Sequence, residues 1–276
     1  MSLSDYEYFV DLVRARSGIQ LRPEDSDMAQ RRLGAVAGTS GLRTVDSLLS
    51  TIRQSPDEPV VWAAIEAMAS HETYFFRDGA LFDHFRERVL PEFYAARQGR
   101  KLDVWCAACS TGQEPYSLAM LVDEERPRYP GLEVDILGSD LSARCLEKAQ
   151  AGVYSQYEAQ RGLTIRQLIK HCEADGGSWR VTSAVRQAVR WTPQNLVESF
   201  TGLGRFDVVF CRNALVYFDR QTQVRVLEQM ATMLAPDGYL YLGAEETLPG
   251  PSNALSAVSD LHGLYRKAAQ RAVNVA

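Results

Sequence analysis

The stretch Leu102-Asp-Val-Trp-Cys-Ala-Ala-Cys-Ser-Thr-Gly-Gln-Glu-Pro-Tyr116 decides the fold. Its first five residues are a short apolar run of strand type. Small residues follow, and a helical pattern then runs from Glu114 to Asp123. A strand that turns tightly into a helix is the opening unit of an α/β layer. Working downstream, Val134-Asp-Ile-Leu137 reads as a second strand ending at Ser139-Asp140, and Ser142 caps a helix over Ala143 to Ala151. Phe206-Asp-Val-Val-Phe-Cys211 is a third strand. A helix from Gln221 to Leu234 stops at Pro236-Asp237-Gly238, and Tyr239 to Leu242 is a fourth strand. Strands alternating with helices predict a mostly parallel sheet covered on both faces.

Residues 157 to 192 interrupt the alternation. Leu163 to Cys172 is helical, Asp175-Gly-Gly-Ser178 is a turn, and Trp179 to Val181 and Val189 to Trp191 flank it as short strands. This segment is expected to be a small antiparallel insertion. Upstream of the sheet, only helices are expected. Ser4-x-x-Glu7 has the form of a capping box, and Leu3, Tyr6, Phe9, Val10 and Val13 recur at helical spacing up to Gly18. Further helices run from Asp25 to Gly38, from Val45 to Ile52 and, after Pro59, from Val60 to Ala69. The expected organisation is a helical unit over 1–70, a linker helix over 71–94 and an α/β domain over 95–270.

The chain has 276 residues, 46% hydrophobic and 24% charged, as in an ordinary globular protein. Thirty Lys and Arg against 35 Asp and Glu give a formal charge of −5, which argues against a non-specific grip on nucleic acid. No apolar run reaches the roughly 18 residues of a membrane helix. The N-terminus lacks the basic and apolar regions of a cleavable leader, so a cytoplasmic location is expected. Five cysteines are too few for a disulfide scaffold. Cys106 and Cys109 lack a second ligand pair at zinc spacing, so buried free thiols and no metal are expected.

Ligands of an open α/β sheet bind beyond the carboxyl ends of its strands. After the first strand, Gly112 stands alone, so the glycine-rich dinucleotide fingerprint is missing. Glu114 would repel phosphate and suit a cation or amine; equally, it sits well in a first helical turn for structural reasons. After the second strand, Asp140 either accepts the two hydroxyls of a ribose or caps the next helix. After the third come Arg212-Asn213 and then Tyr217, either polar donors over the sheet or a structural turn. Ser70-His-Glu-Thr-Tyr-Phe-Phe-Arg77 joins the helical unit to the sheet, and such hinges favour ligand sites.

These motifs, taken in order, resemble those of the CheR-type chemoreceptor glutamate methyltransferases. His71 to Arg77 resembles the family's N-E-T-x-F-F-R motif, and Cys109 to Ser117 resembles its glycine-poor cofactor motif. Asp140 to Tyr154, Phe206 to Asp219 and Leu234 to Glu246 resemble further family segments. The resemblance implies a helical N-terminal domain, a Rossmann-like domain and a small β-subdomain, with S-adenosylmethionine as methyl donor and S-adenosylhomocysteine as product. It implies cofactor contacts by His71, Thr73, Arg77, Glu114, Asp140, Asn195, Leu196, Cys211, Arg212 and Asn213, with Asn195 at the adenine edge. Arg77 and Tyr217 are the candidates for positioning the acceptor. The implied partner is the helical bundle of a chemoreceptor's cytoplasmic region, with Arg31 and Arg32 as candidates to face it; a monomer is expected.

In two places the chain departs from the family. His71 stands where the family usually has Asn, which favours as a rival reading an interaction module that kept the cofactor pocket and lost catalysis. The turn at Asp175 to Ser178 is shorter than in members that dock a receptor-tail pentapeptide, so independence of that peptide is expected. A DNA amino-methylating enzyme is disfavoured, because Asn213-Ala-Leu-Val-Tyr217 lacks the N-P-P-Y arrangement. A nicotinamide dehydrogenase is disfavoured by the missing glycines.

Overall fold

The computed structural model describes residues 1–55, 59–97, 101–258 and 261–268. Four helices open the chain: α1 (Leu3–Ser17), α2 (Ser26–Thr39), α3 (Val45–Gln54) and α4 (Pro59–Glu66). The cap of α1 is Ser2, whose hydroxyl accepts the Asp5 N–H, so the helix starts two residues before the expected Ser4 box. Gly18 ends it in a left-handed conformation at φ 76°, as the sequence suggests. The linker forms α5 (Gly79–His84), a π turn over Phe85–Val89 and α6 (Leu90–Arg97).

The α/β domain continues with β1 (Leu102–Ala107), α7 (Gln113–Glu125), β2 (Val134–Asp140), α8 (Ala143–Ala151), β3 (Val153–Ser155), α9 (Gln156–Gln160) and α10 (Ile165–His171). Then come β4 (Cys172–Asp175), β5 (Ser178–Val181), α11 (Ser183–Gln187), β6 (Val189–Pro193), β7 (Phe206–Cys211), α12 (Arg220–Met233), β8 (Leu234–Leu242), β9 (Leu255–Ala257) and β10 (Leu264–Lys267). The main sheet has seven strands in the order β6-β2-β1-β7-β8-β10-β9. Strands β6, β2, β1, β7 and β8 are parallel, and β10 runs antiparallel to both its neighbours. The chain winds to one side of β1 through β2 and β6, then to the other through β7 and β8. The crevice at this reversal is where open α/β sheets take ligands.

Pro236-Asp237-Gly238, expected to separate a helix from a strand, lies inside β8 as an irregularity. Phe206 pairs with Leu234, but Val208 already pairs with Tyr239. The largest departure from expectation is β6. Val189–Trp191 does not pair with Trp179–Val181; it lies parallel to β2, with Val189 opposite Ile136 and Trp191 opposite Gly138. Parallel pairing needs a crossover connection, and residues 141–188, which hold α8 and the small antiparallel sheet, supply it between β2 and β6. The antiparallel subdomain is instead the sheet β3-β5-β4, spanning Val153 to Val181. Residue 270, the expected end of the α/β domain, lies outside the described residues.

Side chains along β1 alternate between two cores, as period-2 geometry requires. Val104 and Cys106 face a cluster with Phe75, Phe82, Phe85, Phe93 and Phe210. Trp105 and Ala107 face the other, which is continuous with Phe9, Val13, Leu33, Leu48 and Ile52 of the helical unit. The four helices therefore share a core with one face of the sheet. Polar ties reinforce the junction. The Asn195 amide donates to the Arg16 carbonyl at 2.6 Å, the Gln20 N–H donates to the Tyr217 carbonyl at 2.7 Å, and Arg14 pairs with Asp219 at 2.6 Å. No helix among the described residues is long and apolar enough to cross a membrane.

Candidate functional site

A cleft opens at the carboxyl ends of β1, β2 and β7. The 71–77 segment and Ser17 and Ile19 of the helical unit form its far wall. Among the described residues, five non-glycine positions have left-handed φ: Phe76 at 52°, Asp78 at 56°, Ala108 at 54°, Ser110 at 51° and Asn213 at 58°. Three of them line the cleft, and the other two flank Arg77. Such conformations cost about 1–3 kcal/mol each and persist only where the surroundings over-determine them. The strain is thus collected around one cavity.

The turn after β1 needs its lone glycine. Gly112 has φ 92°, and a Cβ there would lie 2.8 Å from the Ala149 Cβ and 2.9 Å from the Trp191 ring. The turn thus presses α7 against α8 and β6. It also aims the Ser110 N–H at Asp140 Oδ2, 2.7 Å away, while the Ser142 N–H donates to Asp140 Oδ1 at 2.9 Å. Asp140 is 7% exposed. Burial pushes its pKa up, and the two backbone donors and His71 pull against that. Each carboxylate oxygen keeps a lone pair beyond the backbone bond it accepts. Helix capping of α8 falls to Ser142, whose hydroxyl accepts the Cys145 N–H. The two readings of Asp140 thus separate: the carboxylate orders two loops and remains an acceptor facing the cleft.

Glu114 and Arg212 form the floor. Arg212 is 6% exposed, and its guanidinium donates to Glu114 Oε2 at 2.7 Å, to the Arg77 carbonyl at 2.7 Å and to Asp78 Oδ2 at 2.6 Å. Burial raises the Glu114 pKa, opposed by the charge and hydrogen bond of Arg212. Arg212 is therefore a tether between β7, α7 and the 71–77 segment rather than a free ligand donor. Arg77 gives one Nη1 bond to the Glu72 carbonyl at 2.8 Å and otherwise lines the cleft.

The structure gathers His71, Thr73, Arg77, Glu114, Asp140, Asn195, Leu196, Arg212, Asn213 and Tyr217 around this one cavity. Cys211 differs: its side chain is fully buried in the core under the cleft, which leaves only its main chain for a ligand. The Asn195 side chain is turned to Arg16, so its amide holds α1 rather than an adenine edge. Arg32 also departs from expectation. Its Nη1 donates to the carbonyls of Ala67, Met68 and Ala69 after α4, whereas Arg31 is exposed. All five cysteines are buried and free of disulfides.

Sequence reasoning missed Glu246. It is 4% exposed and accepts the backbone N–H groups of Asn213 and Gly243, each at 2.7 Å, and of Val216 at 3.2 Å. One carboxylate thereby holds the loops after β7 and β8 together and fixes Asn213 in its left-handed conformation. The available signal was an acidic residue just past a strand end, in the Leu234 to Glu246 segment.

The fold and this cleft define a Rossmann-like, S-adenosylmethionine-dependent methyltransferase with a helical N-terminal domain and a β-subdomain. The chain belongs to the CheR methyltransferase family: residues 4–63 match its all-alpha domain and residues 71–263 its SAM binding domain. It is 37% identical over 272 residues to a chemotaxis protein methyltransferase of Vibrio anguillarum, covering 97% of this chain and 98% of that protein. It is 36% identical over 250 residues to chemotaxis protein methyltransferase Cher2 of Pseudomonas putida, covering 89% and 91%. It is also 32% identical over 253 residues to the chemotaxis protein methyltransferase of Escherichia coli K12, covering 89% and 86%.

The cavity fits the cofactor: Asp140 offers two acceptor oxygens for a diol, and Glu114 lies at the other strand end to face a cation.

Proposed function

We propose that this enzyme methylates glutamate side chains of chemoreceptor cytoplasmic domains, giving glutamate methyl esters. The observation that carries this reading is the match to both CheR domains in order, with the cleft lined by residues of both. When bound, S-adenosylmethionine would supply an electrophilic methyl group carried on a sulfonium, which needs no acid to leave.

The residues of the chain supply position and charge. Asp140 accepts the ribose hydroxyls, Glu114 faces the ammonium of the methionine moiety, and Arg77 pairs with a carboxylate. Tyr217, 38% exposed at the rim, positions the acceptor. An acceptor glutamate has a reference pKa near 4.3, so it arrives as an anion and no general base is required. Holding anion and methyl carbon in line supplies about 7–11 kcal/mol in favourable cases. Strain-bearing loops pinned by Arg212 and Glu246 are the means of holding that line.

The β4–β5 hairpin supports independence from a receptor-tail peptide. Asp175 pairs with Ser178, so the loop is only Gly176-Gly177, at φ 55° and 88°. That is a primed two-residue turn with no spare chain to wrap a peptide. Micromolar binding of a receptor C-terminal peptide in calorimetry would contradict it.

The function is tested with methyl-labelled cofactor and receptor cytoplasmic fragments. Label retained on the receptor and released as methanol in base establishes the ester. Label that resists base identifies an N-methyl product and overturns the assignment.

A further inference from the structure

Three side chains from three elements converge beside the cleft. Asp140 closes β2, Cys145 lies in the first turn of α8, and His71 opens the segment that joins the two domains. One donor atom of each lies within 4.8 Å of the others, and His71 Nδ1 is 3.3 Å from Cys145 Sγ. Bonds of about 2.3 Å to sulfur and about 2.0 Å to nitrogen in a tetrahedral site would put those two atoms about 3.5 Å apart. The set is one imidazole nitrogen, one thiol sulfur and one carboxylate oxygen. That mixture suits a borderline-soft ion of the zinc class and is unlike the all-oxygen cages of calcium or magnesium.

We infer that His71, Cys145 and Asp140 form a three-ligand site for a zinc-class divalent cation, and that the cation competes with the cofactor for Asp140. Water completes the fourth position, as in open zinc sites. Cys145 binds as thiolate and releases its proton to solvent, while His71 enters neutral. Burial pushes the Cys145 thiol up, so the cation itself has to displace the proton. Two backbone N–H bonds already hold the Asp140 carboxylate in place, so the oxygens are pre-oriented for a cation as they are for a ribose. A cation bound there neutralises the carboxylate and covers its remaining lone pairs. Binding of metal and of cofactor therefore weaken each other by the same factor, as linkage requires.

The competition arm rests on the reading of Asp140 as ribose acceptor; the metal site itself does not. The test titrates cobalt(II) chloride into the full-length, metal-free protein and follows sulfur-to-cobalt charge-transfer absorption in the near ultraviolet. The expected band saturates at one equivalent, vanishes in Cys145→Ser and needs about tenfold or more cobalt in His71→Asn. Absence of the band, or its persistence in Cys145→Ser, overturns the site. S-adenosylhomocysteine, whose own binding is measured by calorimetry on the metal-free protein, is expected to erase the band. If it binds and the band stays, the competition is refuted. If it does not bind at all, the cofactor reading of the cleft fails, and the band in the wild type and the two variants still decides the metal site.

Discussion

Replacing Glu246 by Gln tests whether one carboxylate holds the catalytic loops. In the wild type, Oε2 accepts two short bonds, from Asn213 and Gly243 at 2.7 Å, and Oε1 accepts a longer one from Val216 at 3.2 Å. A glutamine keeps the two short bonds only by turning its NH₂ toward the Val216 N–H. Bonds to a charged acceptor are worth about 1.5–3 kcal/mol and neutral ones about 1 kcal/mol, so the two retained bonds lose about 2 kcal/mol together. The donor facing Val216 adds about 1 kcal/mol, held low because Val216 is 52% exposed and water can replace the bond. The sum is about 3 kcal/mol. At about 2–4 °C per kcal/mol for a chain of this order of size, Tm falls by about 6–12 °C. Scanning calorimetry reads it directly. A shift within about 2 °C of zero would refute the clamp, since it would mean that the loops hold Asn213 without the charge. The same variant should release the left-handed Asn213, lowering turnover beyond what lost stability explains when assayed well below its Tm.

Asp140→Ala removes a charge-assisted acceptor worth about 3 kcal/mol to a diol, so S-adenosylhomocysteine should bind about 100-fold more weakly in calorimetry; an unchanged Kd would remove Asp140 from the cofactor site. Tyr217→Phe deletes one hydroxyl at the rim and should lower kcat about tenfold with cofactor affinity preserved, and unchanged turnover would exclude the residue from positioning the acceptor. Asp219 has its pKa held below the ordinary 3.8, chiefly by the Thr222 N–H at the start of α12, with Arg14 of α1 assisting. Its contribution to stability is therefore present above the unfolded value and disappears as pH falls through the folded one. Asp219→Asn should flatten the decline of the urea midpoint between about pH 5 and about pH 3, and an identical decline in the variant would refute the assignment.

The elements of this protein were legible where short-range chemistry dictates them. Ser142 caps α8, Gly18 ends α1, and the apolar runs at 102–106, 134–137 and 206–211 lie in parallel strands. Capping, left-handed glycine and side-chain periodicity act within a few residues, so a sequence displays them. The location of the site was legible for a related reason: an α/β alternation places ligands at strand ends, and those ends carried Glu114, Asp140 and Asn213.

What the sequence could not determine was which of several capable partners each group meets. Asn195 has an amide suited to an adenine edge, yet the docking of α1 turns it to the Arg16 carbonyl. Arg32 could reach solvent or a partner, yet it closes three carbonyls after α4. Val189–Trp191 fits either an antiparallel patch or an edge strand, and packing against β2 selects the edge. Glu246 received no role from its neighbours along the chain; the loop after β7, 30 and 33 residues away at Val216 and Asn213, brings its N–H groups to it only in the fold. His71 and Cys145, 74 residues apart, meet only because the interdomain segment crosses the start of α8. Local propensity is written in neighbours along the chain; satisfaction of buried donors and acceptors, and the convergence of donor atoms on one point, depend on neighbours in space, and only the folded chain supplies those.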